Sequence, residues 1–262
     1  MSDSEPTDGR GARLTQTPTR DALAEGRRLA ERADGAEISL RVTGGVGVAL
    51  ASPSALSPPL SRPYGDLDLV GRTSQRFEIV ELLAQAGYEP DSRFNALHGT
   101  RRLLFRDAPS GRHVDVFLDK IEMCHVIDLR TRLGGPGPAL SPADLLLMKL
   151  QIVESNDKDL VDILALFIDH GRLDDEMGID LGYIAQLTAS DWCLWRTITM
   201  VAERAAQHAD HLHELPAPAT VRECIHRFVT ALDDEPKTTA WKLRAKIGDR
   251  KRWYQLPEEV NH

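Results

Sequence analysis

Long apolar runs are absent from this 262-residue chain. None approaches the roughly 18 to 20 consecutive apolar residues that a membrane span requires. The opening MSDSEPTDGRGARLTQTPTR is polar and lacks the apolar centre of a secretory leader, so the expected location is the cytosol, with no membrane partner. Cysteine is scarce: Cys124, Cys193 and Cys224 are far apart, odd in number and without a CxxC spacing. That pattern excludes a disulfide framework and a cysteine zinc site, and predicts reduced thiols. There is no excess of positive charge either. With 32 basic and 40 acidic residues the net charge is −8, which excludes a protein that gathers nucleic acid by overall charge alone.

What is present is the composition of a globular protein, 42 % apolar and 27 % charged, in a chain long enough for one large domain or two smaller ones. Residues 1–19 lack periodicity and predict a disordered tail. DALAEGRRLAERA predicts an amphipathic helix ending near Asp34-Gly35, EISLRV (37–42) a strand stopping at Gly44-Gly45, and VGVALA a short helix. The four prolines of SPSALSPPLSRP (52–63) argue against regular structure there. DLDLV reads as a strand and SQRFEIVELLAQAG as a helix stopped at Gly87. FNAL, RRLLF and HVDVFL read as three more strands, the last two joined by the hairpin loop RDAPSGR.

Beyond about residue 140 the pattern is helical throughout. Ser141-Pro142-Ala143-Asp144 supplies an N-cap, a proline at the first helical position and an acidic third residue, and LLLMKLQIV follows. KDLVDILALFIDH predicts the next helix, and others are expected at 180–187, 190–212, 218–232 and 237–248. The expected fold is therefore α+β: a disordered tail over 1–19, a mixed sheet with flanking helices over 20–140, and a helical domain over 141–262.

The stretch YGDLDLV raises a chemical question. Residues two apart on a strand share a face, so Asp66 and Asp68 stand side by side while Leu67 and Leu69 point the other way. Like charges so placed need exposure, a basic neighbour or a divalent cation. Asp115, between Val114 and Val116 in HVDVFLD, would complete a set of three carboxylates if its strand lies beside DLDLV. Hard oxygen ligands of that kind hold one or two magnesium ions. Asp119, nearer the strand end, reads as a turn residue. Upstream, Gly44-Gly45 at a strand-to-helix junction offers unobstructed backbone N–H groups and a favourable helix dipole to a phosphate.

Gly-Gly, then Asp-Leu-Asp, then Val-Asp-Val on a later strand resembles the nucleotidyltransferase superfamily, with the DNA polymerase β-like nucleotidyltransferase fold, over residues 38 to 170. The detail resembles its AbiEii-like branch, known for toxins of abortive-infection and toxin–antitoxin systems. An Arg precedes the first acidic pair in that branch, as Arg62 does here; a helical Lys is matched by Lys149, and a Lys/Arg-Asp step by Lys158-Asp159, with Asp162 one turn on. The resemblance implies magnesium-dependent transfer of a nucleoside monophosphate from an NTP, with release of pyrophosphate. It implies catalytic roles for Asp66, Asp68, Asp115 and Asp159 and nucleotide contacts from Gly44, Gly45, Arg62 and Lys149. Asp159 would hold Lys149 or act as base near the acceptor hydroxyl. Independently of the resemblance, Arg62 or the pair Arg101-Arg102 is a candidate for extra phosphate contacts, against the plain reading of surface arginines.

Two further features bear on partners. Lys237 to Arg252 holds seven basic residues against Asp249 alone, with Trp241 inside and Trp253 and Tyr254 at its end. Basic residues interleaved with aromatics suit a phosphate backbone and stacked bases, as in tRNA, whereas a solvated helix with packed aromatics needs no nucleic acid. The acidic net charge suits a polycationic small molecule of the aminoglycoside type. A non-catalytic nucleotide-binding or partner-binding module with this fold, and a dimerisation or antitoxin-docking surface in the helical half at the apolar DWCLWRTITM, are further expectations. His208, His211 and His213 do not fall on one helical face, which argues against a metal site there.

Overall fold

The structure, a computed structural model, describes residues 17–172 and 178–256. The chain runs α1 (Ala22–Gly35), β1 (Leu40–Thr43), α2 (Gly44–Ala51), β2 (Leu67–Gly71), α3 (Arg76–Gln85), β3 (Glu89–Pro90), α4 (Ser92–His98), β4 (Arg102–Asp107) and β5 (Arg112–Leu118). It continues through β6 (Lys120–Glu122), β7 (Val126–Asp128), α5 (Pro142–Leu150), α6 (Asp157–His170), α7 (Leu181–Ser190), α8 (Trp192–His211), α9 (Pro218–Asp234) and α10 (Thr239–Ile247). Among the described residues no helix is long and apolar enough to cross a membrane.

The fold is α+β, built on a five-stranded mixed sheet of order β1-β2-β5-β4-β3. Within this sheet, among the described residues, β2 and β5 are the strands that pair in parallel, so the strand with the acidic pair lies directly beside the strand with Asp115. Alternation then sorts the two faces. Leu67, Leu69, Val114, Val116, Leu103 and Phe105 pack with Leu29, Ile79 and Leu83 of α1 and α3 into one core. The opposite face carries Asp68 and Asp115. Farther along it, Val70 and Phe117 enter a second core that takes in Val48 of α2, Leu146 of α5, Ile163 of α6 and Ile198 of α8, so packing runs without a break past residue 140.

Capping explains several boundaries. The side chain of Ser141 caps α5 by accepting from Asp144 N–H, and α6 opens with a reciprocal capping box between Asn156 and Asp159. Glu25 of α1, fully buried, accepts from Arg28, from the Tyr88 hydroxyl and from Thr19 N–H, which ties α1 to the chain around β3. The expected tail over 1–19 lies outside the described residues up to position 16. Its last residue, Thr19, is held, because its carbonyl accepts from Arg112 of β5.

Three expectations are corrected. FNAL is helical, within α4, because Asp91 caps that helix by accepting from Phe94 N–H. Asn95 of α4 then exchanges two hydrogen bonds with the backbone of Leu104, so the helix sits against β4 as a side-chain partner. The proline-rich segment is not wholly irregular: Pro53–Leu56 forms a 3₁₀ turn whose Ser54 is bound by Asp169 of α6. Gly44-Gly45 does not precede the short helix but forms its first turn.

Candidate active site

The paired strands place Thr43, Asp68 and Asp115 as successive cross-strand neighbours on β1, β2 and β5. Cross-strand partners share a face, so the carboxylates of Asp68 and Asp115 stand next to each other on the face not packed by α1 and α3. Asp66 lies just before β2, exposed, and accepts from the backbone N–H of His113. Among the described residues no donor hydrogen-bonds the Asp68 carboxylate. Burial, reinforced by the nearby Asp115 carboxylate and opposed by Lys149, pushes its pKa up to about 6.

Gly44 is required by its backbone conformation, and at both glycines an added Cβ would push a side chain aside. Gly44 has φ +62, and a Cβ there would stand 2.0 Å from Asp68 Oδ2; a Cβ at Gly45 would stand 2.1 Å from Arg62 Nη2. The first turn of α2 is thus pressed between a carboxylate and a guanidinium. Its N-terminus has no side-chain cap, and the buried Thr43 hydroxyl has no partner among the described residues. Uncapped N–H groups beside a guanidinium make an anion-favouring corner.

Arg62 and Lys149 meet on one residue. Asp162, only 1 % exposed, accepts from Arg62 Nη2 at 2.6 Å and Nε at 3.1 Å and pairs with Lys149 Nζ at 2.8 Å. Lys149 also donates to Asp159 at 2.9 Å. Burial alone would lower the Lys149 pKa, but Asp162 and Asp159 more than reverse it, so the ammonium keeps its charge. The same balance, burial against Asp162, leaves Arg62 above its usual value. Arg62 stacks over the Tyr64 ring, 4.5 Å from its centroid.

The structure therefore brings Gly44, Gly45, Arg62 and Asp68 into contact around the start of α2, sets Asp115 beside Asp68, and links Lys149 to Asp159 and to Arg62 through Asp162. Asp162 is the residue sequence reasoning undervalued. Its one legible signal was an acid among the apolar residues of Leu160–Phe167, which the position one turn from Asp159 disguised as a polar face. Arg101 and Arg102 separate: Arg101 pairs with Glu122, while Arg102 grips Asp115 through Nε at 2.7 and 2.9 Å and through Nη2. Asp119 takes a turn conformation, φ +63, and accepts from Thr73 N–H.

The fit to magnesium is one of chemistry. Among the described residues no three His, Cys, Asp or Glu side chains are already gathered as a metal cage, since Asp66 and Asp115 are drawn onto other donors. Asp68 and Asp115 are hard oxygen donors side by side, and no donor among the described residues hydrogen-bonds the Asp68 carboxylate, so the pair suits a divalent cation chemically.

The stretch 237–254 is less free than its composition suggests. Trp241 packs edge-on against Trp195, Trp253 against Trp192, and Trp253 Nε1 donates to Thr197. Lys237 Nζ donates to backbone carbonyls closing α9, and Arg244 to the carbonyls of Gly248 and Lys251. Lys242, Lys246, Arg250, Lys251 and Arg252 remain exposed.

No family model matches the chain, and no curated protein matches it. Among solved structures it is similar to the lincosamide antibiotic adenylyltransferase LnuA in its lincomycin-bound form, with 14% identity, 56% of this chain and 96% of that one covered, and a TM-score of 0.38. Similarity to the antibiotic-resistance factor ANT(2'')-Ia covers 73% of this chain and 96% of that one at 14% identity, TM-score 0.39. A nucleotidyltransferase-like protein from Paracoccidioides brasiliensis is also similar, over 86% and 97% of the two chains at 14% identity, TM-score 0.40.

Proposed function

We propose that the protein is a nucleotidyltransferase of the kind its sequence motifs resemble, moving a nucleoside monophosphate from a magnesium-bound NTP to an acceptor hydroxyl or phosphate. The observation that carries this reading is the adjacency of Asp68 and Asp115 on neighbouring strands, with the uncapped Gly44-Gly45 turn and the Arg62–Lys149 cation pair close by. An acidic pair next to an anion-favouring corner suits a triphosphate that arrives with its cation.

In this reading Asp66, Asp68 and Asp115 would hold the magnesium. When bound, that cation supplies charge neutralisation on the phosphates and a lowered pKa for the attacking hydroxyl. The α2 N-terminus and Arg62 receive phosphate oxygens, and Lys149, kept cationic by Asp162 and Asp159, stands ready for the charge that accumulates on pyrophosphate. An oxygen–phosphorus bond to the acceptor forms at the α-phosphorus as the bond to the bridging oxygen breaks; pyrophosphate leaves, and the proton of an acceptor hydroxyl passes to a base, for which Asp159 is the candidate.

The acceptor proposed first is a tRNA, as in the toxin branch, with a cognate antitoxin as partner and the cytosol as the place of work. The exposed cations from Lys242 to Arg252 support it. A second reading, a small-molecule acceptor, is favoured by a cleft of about 460 Å³ that adjoins Asp115 through Arg102 and is within the size range of ligand sites. The test is incubation with each α-labelled NTP and magnesium, with total tRNA or with an aminoglycoside. Label on RNA, lost at high salt and in a Lys242→Gln/Lys246→Gln variant, supports the first reading. Label on the aminoglycoside supports the second. Label on neither, with no Mg-NTP binding, would leave a non-catalytic module.

A further inference from the structure

Arg102 and Lys149 are both cations near the carboxylate pair, yet they are held in opposite ways. Lys149 is pinned from the helical side by Asp159 and the buried Asp162. Arg102 projects from β4, one strand beyond Asp115, and the carboxylate it grips is itself one of the three proposed metal ligands. Its guanidinium also lies over the Phe117 ring, 5.0 Å from the centroid. Arg102 and Phe117 both line the cleft of about 460 Å³, together with Phe94, Asp119, Lys120 and Glu122.

A guanidinium forked onto a carboxylate occupies the lone pairs that a divalent cation would use, and it repels that cation. We infer that Arg102 is a built-in counter-ion for Asp115, which a divalent metal must displace over Phe117 into the adjoining cleft. The inference rests on the metal-binding reading proposed above. Two observations support displacement over a shared site. Arg102 already stands over the Phe117 ring that lines the cleft, and the cleft wall carries the carboxylates of Asp119 and of Glu122, the latter shared with Arg101. Arg102 is in this sense a positioning residue: it neutralises Asp115 while no metal is bound, and it lowers metal affinity to do so.

The test is Mn²⁺ binding, followed by the electron paramagnetic resonance of free Mn²⁺, in the wild type, Arg102→Gln, Arg102→Lys and Asp68→Asn, with circular dichroism melting as the check on folding. A charged hydrogen bond of about 1.5–3 kcal/mol corresponds to roughly 10- to 100-fold in a binding constant. Arg102→Gln is therefore expected to bind Mn²⁺ on the order of tenfold more tightly than the wild type, with Arg102→Lys, which keeps the charge without the fork, in between. A folded Arg102→Gln or Arg102→Lys that binds Mn²⁺ no more tightly than the wild type, while Asp68→Asn still weakens binding, overturns this inference and leaves the proposed function standing. If Asp68→Asn binds Mn²⁺ like the wild type, or no protein binds Mn²⁺, this inference falls, while the proposed function stands or falls with magnesium-dependent NTP binding.

Discussion

Asp162→Asn would remove one negative charge from between two cations that have little access to water. The wild-type carboxylate is 1 % exposed, and the side chains it holds, Arg62 and Lys149, are 17% and 12% exposed. Removing one partner of a buried ion pair costs about 3–5 kcal/mol, because the remaining charge is left uncompensated. Here the asparagine keeps one acceptor oxygen, and Lys149 keeps Asp159 at 2.9 Å, so the expected cost is nearer ~2–4 kcal/mol. For a chain of this length about 2–4 °C of Tm is lost per kcal/mol, which predicts a drop of about 4–16 °C. Because Asp162 is the strongest influence holding the Lys149 pKa up, the variant should also let that pKa fall. Thermal melting followed by circular dichroism at pH 7, repeated at high salt, is the assay. Burial shields the interaction, so the loss should persist in salt. A Tm within about a degree of wild type would refute the reasoning, since it would mean that Asp162 does not neutralise the two cations.

Asp68 supplies a pH signature of the opposite sign to that of an ordinary paired carboxylate. Its pKa is raised in the folded state to about 6, so folding favours its protonated form, and stability falls as pH rises from about 4 through 6. Asp68→Asn should remove that slope and raise Tm at pH 7.5 by the equivalent of up to ~2–3 kcal/mol, as read from melts across pH; an unchanged slope contradicts the assignment. Gly44→Ala and Gly45→Ala should each destabilise by about 1–3 kcal/mol, the first through positive φ and collision with Asp68, the second by displacing Arg62. Gly35→Ala, where an added Cβ meets nothing within 4 Å, is the control. Denaturant titration that finds all three alike would remove the close-approach argument.

Much of this was legible in the chain because its signals are local. Alternation in DLDLV and HVDVFL marks two strands and fixes which residues share a face, and Ser141-Pro142 marks the start of α5 through a hydrogen bond that the sequence alone implies. What escaped depends on distant partners. The adjacency of Asp68 and Asp115 is expected only on the condition that β2 lies beside β5, a pairing of strands some 47 residues apart that alternation does not decide by itself. The Arg62–Asp162 contact spans 100 residues, and nothing in either neighbourhood announces it. FNAL carries apolar residues that suit a strand, yet the Asp91 cap and the Asn95 bonds to Leu104 outweigh that pattern. The aromatics of 237–254 look available for stacking until α8 presents Trp192 and Trp195 to cover them.

The central claim is that the Asp68–Asp115 pair and the Gly44-Gly45 corner together hold a metal-bound triphosphate. Calorimetric titration of wild type and Asp68→Asn with a non-hydrolysable NTP analogue, with and without magnesium, tests it without knowledge of the acceptor. The account predicts binding to the wild type that requires magnesium and is lost in a folded Asp68→Asn. Binding that ignores magnesium, or that survives the substitution, would contradict it.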